Sequence, residues 1–177
     1  MKRMASAVMI LVCFLSVACG AYAASLQKGE TVIIRSNLRV QGGVIAFHNM
    51  SSLPGMIPAG TEVKIIKSSG GKTVFVDLAN HKEYTLIANA AQWDKYFVKS
   101  RSEISGAVKG EVMVGMTKDE VYAAKGCPAF IAWGVKSDAH PFDNIMKSDT
   151  WYYLKTTRGH DKLIKFANAA VVSIDSY

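Results

Sequence analysis

Residues 112–128, VMVGMTKDEVYAAKGCP, carry a complete helix with both ends marked. Thr117 is an N-cap residue, and Glu120 three positions on reaches back to it, so two orphan amides are satisfied reciprocally. Asp119 and Glu120 sit in the first turn, where the helix dipole favours negative charge. Lys125 falls in the last turn, Gly126 takes the left-handed position past the end, and Pro128 forbids continuation. The helix is therefore about two to three turns long. Val121 and Ala124 give it one narrow apolar face, and so short a helix must be held by packing.

Outward from this helix the chain divides by pattern and by charge. Residues 26–110 hold eleven Lys or Arg and six Asp or Glu, whereas residues 111–177 hold eight of each. In the earlier part, residues 31–40 read as one or two strands, Gly42-Gly43 as a turn and residues 44–47 as a further strand. Residues 50–60 read as a loop. Residues 61–67 and 73–78 alternate around Ser68-Ser69-Gly70-Gly71, a hairpin with Val74, Val76 and Leu78 on one side, and residues 84–87 pair back. Strands at this spacing imply a small barrel or rolled sheet over residues 26–98. With Ile57-Pro58-Ala59-Gly60-Thr61 this part resembles bacterial SH3-like modules. Residues 92–99 read as a short helix or turn whose Trp93, Tyr96 and Phe97 are core.

In the later part, residues 101–109 read as a second helix with Ile104 and Val108 four apart. The capped helix follows, then a loop over residues 129–148, then three strands over residues 150–156, 162–167 and 171–175. A meander after helices is an α+β layer whose sheet buries one face against them, and Trp151 and Tyr153 share a face.

The blocks Val114-Gly115-Met116-Thr117, Glu120-Val121, Gly126-x-Pro128, Asp149-Thr150-Trp151-Tyr152-Tyr153, Lys165-Phe166-Ala167-Asn168 and Val171-Val172-Ser173-Ile174-Asp175 occur in the order found in the SmpA/OmlA (BamE) family of outer-membrane lipoproteins. Residues 102–177 resemble that family. The resemblance implies two helices on a three-stranded antiparallel sheet, an accessory role in assembling outer-membrane β-barrel proteins, and no catalysis. It further implies partner and lipid contacts in the region before and around Trp151, which singles out Phe142, Asp143, Trp151 and Tyr153. Aromatics are enriched in interface hot spots, but an aromatic alternating in a strand is more often core, and at least one of Trp151 and Tyr153 is expected there.

The first residues set the compartment. Lys2 and Arg3, the uncharged run 4–18 and Ala21-Tyr22-Ala23 form a secretory signal over residues 1–23, too short for a transmembrane span. A lipoprotein signal places leucine three residues before the modified cysteine, but Ser16 holds that place before Cys19 and Leu15 lies one residue too early. Two readings stand, lipid attachment at Cys19 or cleavage after Ala23. Cleavage removes two of the 21 basic residues and none of the 14 acidic ones, leaving a net charge of +5. The basic part suits anionic lipid headgroups or acidic wall polymer, and nothing in it is dense enough for nucleic acid.

Reactive chemistry finds little support. Lys67-Ser-Ser-Gly-Gly-Lys72-Thr73 ends like a phosphate loop, yet Ile66 stands where the motif needs glycine and a strand follows where it needs a helix. Asn49-Met50-Ser51 matches a glycosylation sequon. Cys127 with His140 or His160 draws a thiol nucleophile and base, but the cysteine lies past a helix C-terminus, where the dipole opposes a thiolate. The histidines at 48, 81, 140 and 160 lack metal-ligand spacing, and Asp138, Asp143 and Asp149 lack a calcium-loop rhythm. The expectation is a non-enzymatic envelope protein without cofactor or metal. It is periplasmic or anchored to the outer membrane, and its partners are envelope proteins such as barrel-assembly components. A wall-binding or inhibitor-like module and a thiol hydrolase using Cys127 are the alternatives.

Overall fold

The structure of the protein, a computed structural model, describes residues 26–46, 49–88, 90–104 and 111–176. It is mostly β with two short helices, arranged as a curled six-stranded half-barrel and a five-stranded antiparallel sheet.

The first part comprises β1 (Thr31–Ile34), β2 (Leu38–Val40), β3 (Val44–Ala46), β4 (Gly55–Ile57), β5 (Glu62–Ser69), β6 (Lys72–Asp77), β7 (Glu83–Ile87) and β8 (Phe97–Val98). Six of these form the curled sheet in the order β3-β7-β6-β5-β1-β8, and β2 pairs with β4 alone. Strand β4 lies in residues read as a loop; its three residues are too few to show a period. The β5–β6 turn is the two residues Gly70 and Gly71, both at positive φ (58° and 75°). Two such residues match the right-handed twist of the flanking strands, which settles the phosphate-loop question in favour of a hairpin. On β6 the core face is Thr73, Phe75 and Asp77, not Val74, Val76 and Leu78. Both sets alternate equally well, and the buried Phe75 decides by stacking edge-on against Phe97 at 5.4 Å. Tyr96 and Phe97 are core and Trp93 packs against it, as expected.

The helix expected over residues 101–109 is, where described, a 3-10 turn at Arg101–Glu103 followed by extended Ile104; residues 105–110 lie outside the description. A capping box between Ser100 and Glu103 closes on a single turn. The capped helix α1 spans Lys118–Lys125 with the Thr117–Glu120 box in place. Gly126 has φ 75° and ψ −163°, a conformation open to glycine but outside the ordinary left-handed helical well. A Cβ there would lie 2.7 Å from Asn49 Nδ2, so the position excludes side chains twice over.

Residues 129–148 are not a loop. They form β9 (Phe130–Ala132), β10 (Val135–Lys136), a 3-10 turn at Ser137–Ala139 and helix α2 (Phe142–Lys147). Strands β11 (Thr150–Thr156), β12 (Gly159–Ala167) and β13 (Ala170–Ser176) make the expected meander, and the sheet order β10-β9-β11-β12-β13 adds two strands to the three foreseen. Its inner face packs Trp151, Tyr153, Ile164, Phe166 and Val171 against Val121 and Tyr122 of α1 and Ile145 of α2.

The two cores are joined by polar contacts that follow from helix physics. The last carbonyls of a helix have no partner within it. Here the Asn37 amide and side-chain Nδ2 donate to the carbonyls of Ala123 (2.8 Å) and Ala124 (3.2 Å), and Asn49 Nδ2 donates to that of Lys125. The C-terminus of α1 is thus closed by residues of the first part. Asn49, the sequon residue, spends its side chain on this joint, and its Oδ1 accepts from the Arg39 amide at 2.5 Å.

Candidate functional site

Two features of the surface and seam bear on function. The first is an apolar groove on the outer face of the five-stranded sheet. Strand pairing sets a row of side chains across all five strands, Lys136, Phe130, Tyr152, Leu163 and Asp175, on the face opposite Trp151 and Tyr153. At the β9–β10 turn Gly134 takes φ 74°, and Trp133 beside it is 81% exposed. Its ring stands 6.4 Å from that of Tyr152, tilted by 66°. Phe130, Ala132, Trp133, Gly134 and Tyr152 line a groove of about 280 Å³. Large apolar side chains left to water in a concave setting mark contact sites. Strand β10 is an edge of the sheet, so its outer backbone is unpaired among the described residues.

The residues singled out by sequence are placed differently. Trp151 is fully buried, its Nε1 donating to the Ile145 carbonyl at 3.0 Å, and Tyr153 is buried with its hydroxyl donating to the Gly126 carbonyl at 3.0 Å. Neither presents surface to a partner: alternation turns both inward, and each ring is locked by its hydrogen bond. Phe142 is half-buried, edge-on to Tyr122 at 5.0 Å and under the Arg35 guanidinium at 4.1 Å. Asp143 is exposed in the first turn of α2. Cys19 lies outside the described residues. Trp133 does not stand out in sequence because residues 129–148 read as a loop. The signal was present in Phe130-Ile131-Ala132-Trp133-Gly134-Val135, an apolar run broken by a turn glycine.

The second feature is the buried polar seam between the cores. Lys95 is fully buried, and its Nζ donates to Gln92 Oε1 (2.7 Å), the Ser137 carbonyl (2.8 Å) and the Asp138 carbonyl (3.2 Å). Three acceptors match the three donors of an ammonium. Burial pulls this amine below its ordinary value, while the nearby acidic groups of Cys127, Asp94 and Asp138 oppose the shift. Tyr122 of α1 donates its hydroxyl to the Lys95 carbonyl at 3.0 Å.

Cys127 belongs to this seam. Its Sγ lies 3.5 Å from Ser137 Oγ and 3.5 Å from the Pro128 carbonyl, and burial pushes the thiol up from the usual 9.0. A buried, protonated thiol paired with a serine packs as a small apolar group, and this geometry does not favour the thiol-hydrolase alternative. His81 is exposed at positive φ, and His140 is half-buried. Among the described residues no three His, Cys, Asp or Glu side chains are grouped to hold a metal, and no helix is long and apolar enough to cross a membrane.

Comparison with protein-family models, curated proteins and solved structures finds no match. The chemistry of the groove and the seam therefore rests on their own residues.

The seam makes a prediction for alkaline pH. Burial first, and neighbouring negative charge second, raise the phenols of Tyr96, Tyr122 and Tyr153 above the usual 10.0. Their stabilising contribution is whole below pH 10 and is lost as the pH climbs, because the unfolded chain releases protons that the folded chain keeps. Each phenol costs about 1.4 kcal/mol of stability per pH unit in that range. The Cys127 thiol acts in the same direction from pH 9, and Lys95 acts in the opposite direction below 10.5. Urea midpoints should fall steeply from pH 9 to 11, and Tyr122→Phe should flatten the fall by one proton. A midpoint constant over that range would contradict the burial of these groups.

Proposed function

We propose that this chain is a non-enzymatic envelope protein acting through protein contacts at the periplasmic face of the outer membrane, as an accessory in outer-membrane protein assembly. The half-barrel serves as its SH3-like module, and the α1, α2 and meander portion as its BamE-like part. The single observation that carries the docking role is Trp133, exposed over an apolar groove beside Tyr152. The occupant is an extended segment of an envelope protein that pairs with the open edge of β10, lays an apolar side chain against Trp133, and sets an acidic residue opposite Lys136. The signal-like residues 1–23 and the ordered family blocks support the compartment and the partner class.

The test titrates purified barrel-assembly components into the chain and follows binding by calorimetry, with Trp133→Ala as the variant. A buried tryptophan anchor is worth at least about 2 kcal/mol, so the variant should bind about 30-fold more weakly. Its thermal stability should stay within about 0.5 kcal/mol of the parent, since the side chain lies in solvent. Equal binding by both chains would remove the groove from the interface. Failure of the parent to bind any of these components would overturn the assembly role, and binding to lipid vesicles alone would replace a protein occupant with a membrane.

A further inference from the structure

The seam opens to one side as a cleft of about 520 Å³, lined by Ile87, Ala88, Gln92 and Tyr96 from the first part and Asp138 and Ala139 from the second. Volume and position both suit a small-molecule site: pockets of about 300–1,000 Å³ at the junction of two structural units are the usual place for one. Two observations define what it would hold. Tyr96 is only 4% exposed, yet its hydroxyl makes no hydrogen bond to any described residue. A hydroxyl left unengaged in the lining of a cleft offers a ligand both a hydrogen-bond donor and an acceptor. The half-buried Asp138 lines the cleft and its carboxylate has no hydrogen bond or ion pair among the described residues, although its own backbone carbonyl is held by Lys95.

Lys95, the cation beside these groups among the described residues, cannot answer them. All three donors of Lys95 are spent on Gln92 and on two backbone carbonyls. Those bonds tie Gln92 and Asp138 together from opposite sides of the seam, so the lining is positioned before anything enters, which lowers the cost of binding. An anion would meet the Asp138 carboxylate with no free positive group among the described residues of the lining, whereas an ammonium would find its acceptor there.

We propose that this cleft is a binding site for a small primary amine of about amino-acid size. The ammonium pairs with Asp138, a hydrogen-bonding group at the other end meets Tyr96 and Gln92, and the short aliphatic body packs on Ile87, Ala88 and Ala139. This site is separate from the Trp133 groove and stands or falls independently of it.

The probe is 4-aminobutanamide, titrated into the chain and followed by heteronuclear NMR, with butanamide, which lacks the ammonium, and succinate as comparison ligands. The expected result is saturable shifts at Tyr96, Gln92 and Ala139 with 4-aminobutanamide alone. Asp138→Asn should weaken binding at least tenfold, and Tyr96→Phe about fivefold. Both variants should keep the parent spectrum elsewhere. Undiminished binding by Asp138→Asn, equal binding of butanamide, shifts confined to other surfaces, or no saturation at millimolar probe would each overturn the assignment.

Discussion

Trp151→Ala is expected to cost about 3–5 kcal/mol, the range for emptying a large aromatic from a packed core. The side chain is fully buried and sits at the centre of an aromatic cluster, 4.7 Å from Phe166 and 6.0 Å from Tyr122 between ring centroids. It reaches both helices: it packs on Tyr122 of α1, and its Nε1 closes the Ile145 carbonyl of α2. Removing it opens a cavity beneath α1 and leaves a buried acceptor without its donor. A domain of this size is stable by about 5–15 kcal/mol, so the loss is a large part of the total. Urea unfolding followed by circular dichroism should show the midpoint falling well below that of the parent. Trp133→Ala in the same experiment should leave it almost unmoved. Equal stability of the Trp151 variant would mean that the sheet is not closed by this ring.

Lys95→Ala is expected to cost on the order of 3–5 kcal/mol, because it removes one side of a buried polar set and leaves the other side in place. The Ser137 and Asp138 carbonyls belong to the backbone and cannot be edited away, so deleting the donor exposes the full penalty of leaving them dry. Lys95→Met separates the contributions: it keeps the aliphatic stem packed and removes only the three hydrogen bonds. It should still be destabilised, by about 2 kcal/mol or more. The pH dependence reports on the ammonium, which both variants lack. Burial lowers the folded pKa of this amine, so its ionisation penalty is whole at neutral pH and is relieved as the pH rises toward 10.5. Both variants should lose that opposing contribution and fall more steeply than the parent in alkali. A Met variant as stable as the parent would show that the stem, not the ammonium, holds the seam.

The parts of the fold legible in sequence are those whose signals are local. Helix α1 was readable because Thr117, Glu120, Gly126 and Pro128 each act within one turn of where they stand. The β5–β6 hairpin was readable from two glycines between alternating strands. Strand β4 and the β9–β10 hairpin were not, because strands of two or three residues carry no period and exist through pairing. Helix α2 has six residues, begins at Pro141 without a side-chain cap, and is held by Ile145 and Trp151. The candidate sites were less legible still. Trp151 and Tyr153 stood out as aromatics in a strand, and alternation turned both inward; Trp133, in the β9–β10 turn itself, was turned outward.

Local chemistry in the chain determined where α1 begins and stops, that a meander follows it, and that the first part is β-rich, since capping, glycine turns and alternation act over a few bonds. Only the tertiary structure decided that the helix would be closed by Asn37 and Asn49, each more than seventy residues away, and that Lys95 would be buried against Ser137 and Asp138. A lysine is a surface residue until enough backbone acceptors converge on it. That convergence depends on how two sheets meet, and no window of sequence contains it.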